Sequence, residues 1–156
     1  MNRYIKECLG ININFIGKME LKGNNNCFVC GKENKDGLKL DFKLKGDKIQ
    51  AEFIPDKRFE GFDGIVHGGI VATVLDEAMV KLAFEMGMNA VTSKINVELK
   101  KPTIVGKRYF VMGEIVEEKE KTVQTKAILE DGEKGLIAQA EAVLVKRKMV
   151  DRKSVV

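Results

Sequence analysis

Three small groups of residues in this chain have the types and spacing to do chemistry. The first is His67-Gly68-Gly69, standing just ahead of a long helical pattern. Gly68 and Gly69 carry no side chains, so a ligand can come close to their backbone N–H groups. At a helix start those groups lack intrahelical partners and sit at the positive end of the helix dipole. They could hold a phosphate or polarise a carbonyl as an oxyanion hole, or the glycines could simply let the loop turn tightly into the helix. The second group is Asp76 and Glu77, two carboxylates inside a largely apolar helix. Burying a charge without a partner costs several kcal/mol, so at least one must face solvent, a cation or a site. The plain alternative is exposure on a polar side shared with Thr73, Lys81 and Glu85. Asp76 follows Gly68 by eight residues, about 12 Å along a helix. One helix therefore cannot bring both to the same reacting atom, and if they cooperate Asp76 must come from a second copy of the chain.

The third group is Cys27-Phe28-Val29-Cys30, a C-x-x-C without a second pair. A structural zinc needs four ligands, and only Cys8 and His67 remain as soft candidates. A redox role would place the motif at the opening of a helix beside a strand, whereas Gly31, Lys32, Asn34 and Gly37 suggest a turn. The expectation is a structural or incidental pair with no metal; a metal shared between subunits is the alternative. His67 is the only histidine, which excludes a His-rich metal site. The chain also has no G-x-S-x-G elbow for a serine nucleophile. His67 either serves the site or orients the loop by hydrogen bonds.

The elements that must position these groups are legible in part. Residues 1–22 are ambiguous between helix and strand, and Lys22-Gly23-Asn24-Asn25-Asn26 is a loop by composition. Leu38, Leu40, Phe42 and Leu44 alternate with Lys39, Asp41, Lys43 and Lys45, predicting a half-buried strand. Gly46-Asp47 is a hairpin signal, followed by alternating Ile49, Ala51 and Phe53. A glycine-rich approach over 61–69 leads into the helix, whose apolar residues run from Ile70 through Val74, Ala78 and Leu82 to Met86, with Gly87 as a stop. That stripe is wide, so the helix should be deeply buried. Val91, Ser93, Ile95, Val97 and Leu99 then point one way from a strand and Thr92, Lys94, Asn96 and Glu98 the other, with Pro102 and Gly106 ending it. Strands over 107–117, 121–130 and 134–146 follow, joined by Glu118-Lys119-Glu120 and Asp131-Gly132. Short connections make the sheet antiparallel, and one helix cannot cover both of its faces. The expected fold is α+β, a curved antiparallel sheet of about five to six strands around one long central helix, with an edge or face left for a partner chain.

At 156 residues the chain reads as one domain, long enough to bury roughly 70% of its unfolded surface without disulfide or metal staples. An N-terminal extension over 1–24 and a basic C-terminal tail over 149–156 flank the domain at 25–148. The hydrophobic fraction of 44% and charged fraction of 32% exclude a disordered or collagen-like chain. No apolar run reaches the roughly 18 residues that span a bilayer. Arg3, Lys6 and Glu7 interrupt what would be the core of a signal peptide, and an odd count of three cysteines suits a reducing cytoplasm. The net charge of +4 is compatible with an anionic ligand but falls short of a dedicated nucleic-acid binder. Much of the excess lies in Lys146, Arg147, Lys148, Arg152 and Lys153, read as a solvated tail.

Gly64-Ile65-Val66-His67-Gly68-Gly69 together with Leu75-Asp76-Glu77-Ala78-Met79 resembles the hotdog-fold acyl-CoA thioesterases, most closely the PaaI-like branch. The resemblance extends over roughly residues 25–146 and includes Cys27-Phe28-Val29-Cys30-Gly31, Gly37-Leu38 and Lys100-Lys101-Pro102 before Gly106. It implies that the Gly68 N–H binds the thioester oxygen and that Asp76 of the other protomer is nucleophile or general base. It further implies that His67, with Gly69, shapes the oxyanion site and that the Thr92 hydroxyl positions water, next to Ser93. Relatives hold the carbonyl with Asn or Gln near Gly61, a contact glycine cannot make. An apolar tunnel beside the helix would take the acyl chain. Lys100, Lys101, Lys107 and Arg108 are the nearest cations for the phosphates of coenzyme A, which enters as part of the substrate; no separate cofactor is implied. The assembly implied is a homodimer with shared sites, which could pair into a homotetramer, with no nucleic-acid or membrane partner. Three other readings stay open: a zinc- or redox-switched interaction module built on Cys27 and Cys30, a non-catalytic acyl-CoA binder, for which Asp76 would be unnecessary, and an acyl-thioester hydratase or dehydratase. The last would place an aspartate five residues before the histidine, whereas Asp63 precedes His67 by four.

Overall fold

In a computed structural model, described over residues 21–147, one helix lies across one face of a six-stranded antiparallel sheet. The elements are β1 (Lys43–Lys45), β2 (Lys48–Phe53), a 3₁₀ turn (Lys57–Phe59), β3 (Glu60–Phe62), β4 (Ile65–Val66), α1 (Gly68–Glu85), β5 (Ala90–Leu99), β6 (Tyr109–Glu118), β7 (Thr122–Asp131) and β8 (Leu136–Lys146). The sheet order is β1-β2-β6-β7-β8-β5, and β3 and β4 form a separate small hairpin. The expected architecture is borne out. The ambiguous stretch before Leu21, Cys8 within it, and the residues after Arg147 lie outside the described residues.

The core follows from two periodicities meeting. Val71, Val74, Leu75, Ala78, Met79, Leu82 and Ala83 of α1 are buried against the inward side chains of the strands, among them Ile49, Phe53, Val111, Val123, Leu129 and Leu144. Fully burying a side chain of this size contributes about 1.5–3 kcal/mol, so this seam dominates the packing energy. Gly113 explains how the helix comes so close. A Cβ at that position would meet the Ala78 carbonyl oxygen at 2.8 Å, so any larger residue in mid-strand would push α1 away from β6. The opposite sheet face is polar, with Glu114 holding Lys48 at 2.8 Å and Lys126 at 2.6 Å across three strands.

Three expectations change in detail. The strand anticipated over 38–44 is paired only from Lys43. Upstream, Lys39 has a positive φ of 54°, and the backbone bonds elsewhere. Leu38 N–H donates to Phe28 O at 2.8 Å and Leu40 N–H to Val29 O at 2.8 Å, so this run wraps the cysteine turn instead of extending the sheet. The glycine-rich approach contains the β3–β4 hairpin, which turns at Gly64 with φ 74°. Finally, Lys146 and Arg147 belong to the fold: Lys146 ends β8 and bonds Glu118, and Arg147 N–H donates to Asn89 O at 2.6 Å. Strand pairing, invisible in a charge run, decides their place.

Candidate active site

The start of α1 is built by His67. Its backbone N–H donates to Phe59 O at 2.8 Å, fixing it against the 3₁₀ turn. Its side chain then caps the helix, Nδ1 accepting the Gly69 N–H at 2.9 Å. The histidine thus takes one of the two glycine amides. Among the described residues no acceptor engages the Gly68 N–H, which remains the amide available at the positive end of the dipole. The loop-orienting role of His67 is therefore visible, whereas Gly69 spends its amide on the cap. Gly61 packs directly on the histidine: a Cβ there would lie 3.0 Å from His67 Cα, so a larger side chain would have to displace the cap. A Cβ on Gly68 would meet Leu99 Cδ1 at 2.7 Å, which brings the end of β5, and Lys100 and Lys101 directly after it, beside the helix start.

Two turns along, Asp76 projects toward β5, where the Thr92 hydroxyl donates to Asp76 Oδ1 at 2.7 Å. Burial pushes the Asp76 carboxyl above the ordinary aspartate range, and the Thr92 hydrogen bond draws it part of the way back. This contact corrects the alternation read from sequence, which put Thr92 on the face opposite Ile95 and Val97. The register slips between Thr92 and Lys94, so that Thr92 pairs with Leu144, Ile95 with Ala142 and Val97 with Ala140. Directly paired residues share a face, and Leu144, Ala142 and Ala140 are all buried. Thr92 therefore faces inward with Ile95 and Val97. Ser93 is the extra residue of this β-bulge, a device that re-aims side chains beside it.

Glu77, one residue on, faces elsewhere. The sequence places it on a solvated side with Lys81 and Glu85, and those two do pair at 2.9 Å. The turn at 27–31 nonetheless roofs Glu77: Cys27 Sγ donates to Glu77 Oε1 at 3.6 Å. Cys27 Sγ, Cys30 Sγ and a Glu77 carboxylate oxygen all lie within 4.8 Å of one another. Burial first, then the Glu77 carboxylate and Cys27, push the Cys30 thiol up to about 12. Fifty residues separate Cys27 from Glu77, and no local signal announces that they meet.

Of the cations considered for phosphate, Lys100 pairs with Glu98 at 2.9 Å, Lys107 with Asp131 at 3.8 Å and Arg108 with Glu52 at 3.3 Å. Lys101 is exposed, its backbone N–H on Ile137 O. Within one chain, Gly68 and Asp76 stay apart by the two helical turns between them, and the structure brings neither to the other.

Residues 63–138, which carry Gly68, Asp76 and Thr92, match the family model of the thioesterase superfamily. The chain is also 33% identical over 111 residues to acyl-coenzyme A thioesterase THEM4 of Rattus norvegicus. That alignment takes in 60% of this chain and 48% of the rat protein, so the chain spans about half the length of the curated relative it matches. Among solved structures, the smu.793 protein of Streptococcus mutans, crystallised with acetyl CoA, superposes with a TM-score of 0.63 at 20% identity, over 70% of this chain and 91% of that one. The PaaI protein of the Escherichia coli phenylacetic acid degradation operon gives 0.65 at 14% identity, over 69% and 83%.

The fold is the hotdog fold, shared with these solved structures. In this hotdog domain α1 is the central helix and the six-stranded sheet its wrapping, and the resemblance drawn from residues 64–79 is borne out, the family match reaching residues 63–138. Among the described residues, no helix of the hotdog domain is long and apolar enough to cross a membrane.

Proposed function

We propose that the protein hydrolyses an acyl-CoA thioester to the free acid and coenzyme A. The observation that carries this reading is the pair Asp76 and Thr92: a half-buried carboxylate held by one hydroxyl, on the helix whose first residue offers a bare amide. Water, or Asp76 itself, attacks the thioester carbonyl carbon. The developing oxyanion lies against the Gly68 N–H, where a preorganised donor contributes roughly 2.7–4 kcal/mol. The C–S bond then breaks and coenzyme A leaves as the thiol, taking up a proton. Asp76 either takes the proton of the attacking water and passes it to the departing sulfur, or forms a transient acyl anhydride that water then hydrolyses to the free acid, restoring the carboxylate and supplying the thiol proton. Thr92 keeps the carboxylate in its aim.

The Asp76 that serves a given Gly68 belongs to a second copy of the chain, because the spacing within one helix is about 12 Å. Support for a partner comes from β5. It is a ten-residue edge strand whose Ile95 and Leu99 are 38% and 53% exposed, and such an edge invites another strand. The homodimer joined there has two shared sites and could pair further into a tetramer. Acetyl CoA in the Streptococcus mutans structure and the named activity of the rat relative support acyl-CoA as the substrate class. Lys100 and Lys101, beside the helix start, are the cations assigned to its phosphates. Three cysteines, an odd count too small for a disulfide framework, support a cytoplasmic setting.

The test is thiol release from short, long and aromatic acyl-CoAs by the wild type and Asp76→Ala. Turnover should fall by about 10²-fold or more in the variant, the size of a lost catalytic base. If the wild type binds acyl-CoA without releasing thiol, the protein is a carrier or sensor and the catalytic reading fails.

A further inference from the structure

The one cluster of metal-ligating side chains found among the described residues takes no part in the proposed hydrolysis. Cys27 and Cys30 come from one turn and Glu77 from α1, and their ligand atoms converge within 4.8 Å. The turn is held for that purpose by its backbone. Gly31 N–H donates to Cys27 O at 2.9 Å, and a Cβ on Gly31 would sit 2.4 Å from the Cys27 nitrogen and 2.5 Å from the Asn25 oxygen. Only glycine can therefore close this turn with both sulfurs on one side. The Leu38 and Leu40 amides clamp its other flank at Phe28 and Val29.

We propose that Cys27, Cys30 and Glu77 bind one thiophilic divalent cation, with zinc the best fit. Tetrahedral zinc with Zn–S of about 2.3 Å and Zn–O of about 2.0–2.2 Å sets sulfur-to-oxygen ligand separations near 3.5 Å. The Cys27 Sγ to Glu77 Oε1 separation is 3.6 Å. Two thiolates and one carboxylate are a donor set of the softness that selects zinc over magnesium or calcium. Binding releases the two thiol protons and replaces them with metal–sulfur bonds, giving three protein ligands with a net charge of −1 at the site. The fourth position opens onto a cavity of about 690 Å³ lined by Cys27, Cys30, Glu77, Phe42, Val80 and Phe84 among others, where water completes the tetrahedron. Lys81, on the same wall, pairs with Glu85 at 2.9 Å and also lies within electrostatic reach of Glu77 and Cys30. His67 is no ligand: it stands ten residues before Glu77, about 15 Å along the helix. The metal pins the turn at 27–31 to α1 one residue from Asp76, and so braces the helix where the proposed site needs it rigid.

The experiment reads metal, not turnover, and so fails or succeeds apart from the hydrolase reading. The full chain is purified reduced and without chelator, and its zinc is measured by elemental analysis. Chelator-stripped protein is then titrated with zinc and with cobalt(II). The expected results are one metal per chain, a cobalt–thiolate charge-transfer band that saturates at that ratio, and a higher Tm on zinc addition. Cys30→Ser should abolish the band, and Glu77→Gln should weaken cobalt binding by roughly 10-fold or more, the loss seen even for outer partners of metal ligands. Absence of saturable cobalt binding by the reduced wild type overturns the proposal, as does a full complement of metal in Cys30→Ser. A Cys27–Cys30 disulfide in the protein as purified, resistant to exchange for metal, also overturns it. Should a variant fail to fold, the wild-type cobalt titration decides alone.

Discussion

Asp76 and Glu77 are neighbours on one helix, about 100° apart around its axis, and the fold gives them opposite surroundings. Asp76 meets a sheet strand and a single hydroxyl, with burial pushing its carboxyl upward. Glu77 meets a loop and two thiols, Cys27 donating to its carboxylate and Cys30 held protonated beside it. The first environment keeps a lone carboxylate aimed and half dry, the condition for a base or nucleophile. The second gathers three ligand atoms within 4.8 Å of one another, the geometry on which the proposed metal site rests. Chemistry at these two positions is thus set by what packs on each flank of α1, not by the residue type, which is nearly the same.

The comparison can be broken most sharply by neutralising each carboxylate in turn. Asp76→Asn should lower thiol release by about 10²-fold while metal content stays at one per chain. Glu77→Gln should do the reverse, losing metal and costing thiol release no more than about 10-fold. Equal losses in both assays for both variants would mean that the two flanks act as one site. Thr92→Val removes the one hydroxyl that bonds Asp76 among the described residues. A hydrogen bond to a charged group contributes about 1.5–3 kcal/mol, so kcat should drop roughly 10-fold or more with KM little changed. Full activity in a folded Thr92→Val would show that the bulge positions nothing.

The smallest effect belongs to the polar sheet face, far from either carboxylate. There Lys126 and then Lys48 hold the Glu114 carboxyl below its ordinary range. A depressed carboxyl stabilises the fold above its unfolded pKa, and that contribution is lost as pH falls through the folded value. Glu114→Gln should therefore cost less than about 1 kcal/mol near neutrality and nothing in acid, as read by denaturant unfolding. A large loss at both pH values would mean that packing, not charge, holds these strands together.

Much of this was legible in the chain before it was folded. Helical spacing from Ile70 to Met86, the Gly46-Asp47 hairpin and the alternating later strands gave the architecture, since burial of an apolar face requires those periods. The separation of Gly68 from Asp76 is also a sequence property, because helix rise is fixed, and it points to a second copy. Three features were decided only by tertiary structure. A bulge at Ser93 turns Thr92 inward, and a one-residue insertion in pairing leaves no mark on the residues themselves. His67 takes the Gly69 amide, a matter of rotamer and loop path. Cys27 finds Glu77 across fifty residues, and Cys30 across forty-seven, because the run from Leu38 to Leu40 wraps their turn rather than joining the sheet. Local sequence sets periods and distances along an element. Which flank meets which neighbour depends on pairing register and long-range packing, and those are properties of the assembled fold.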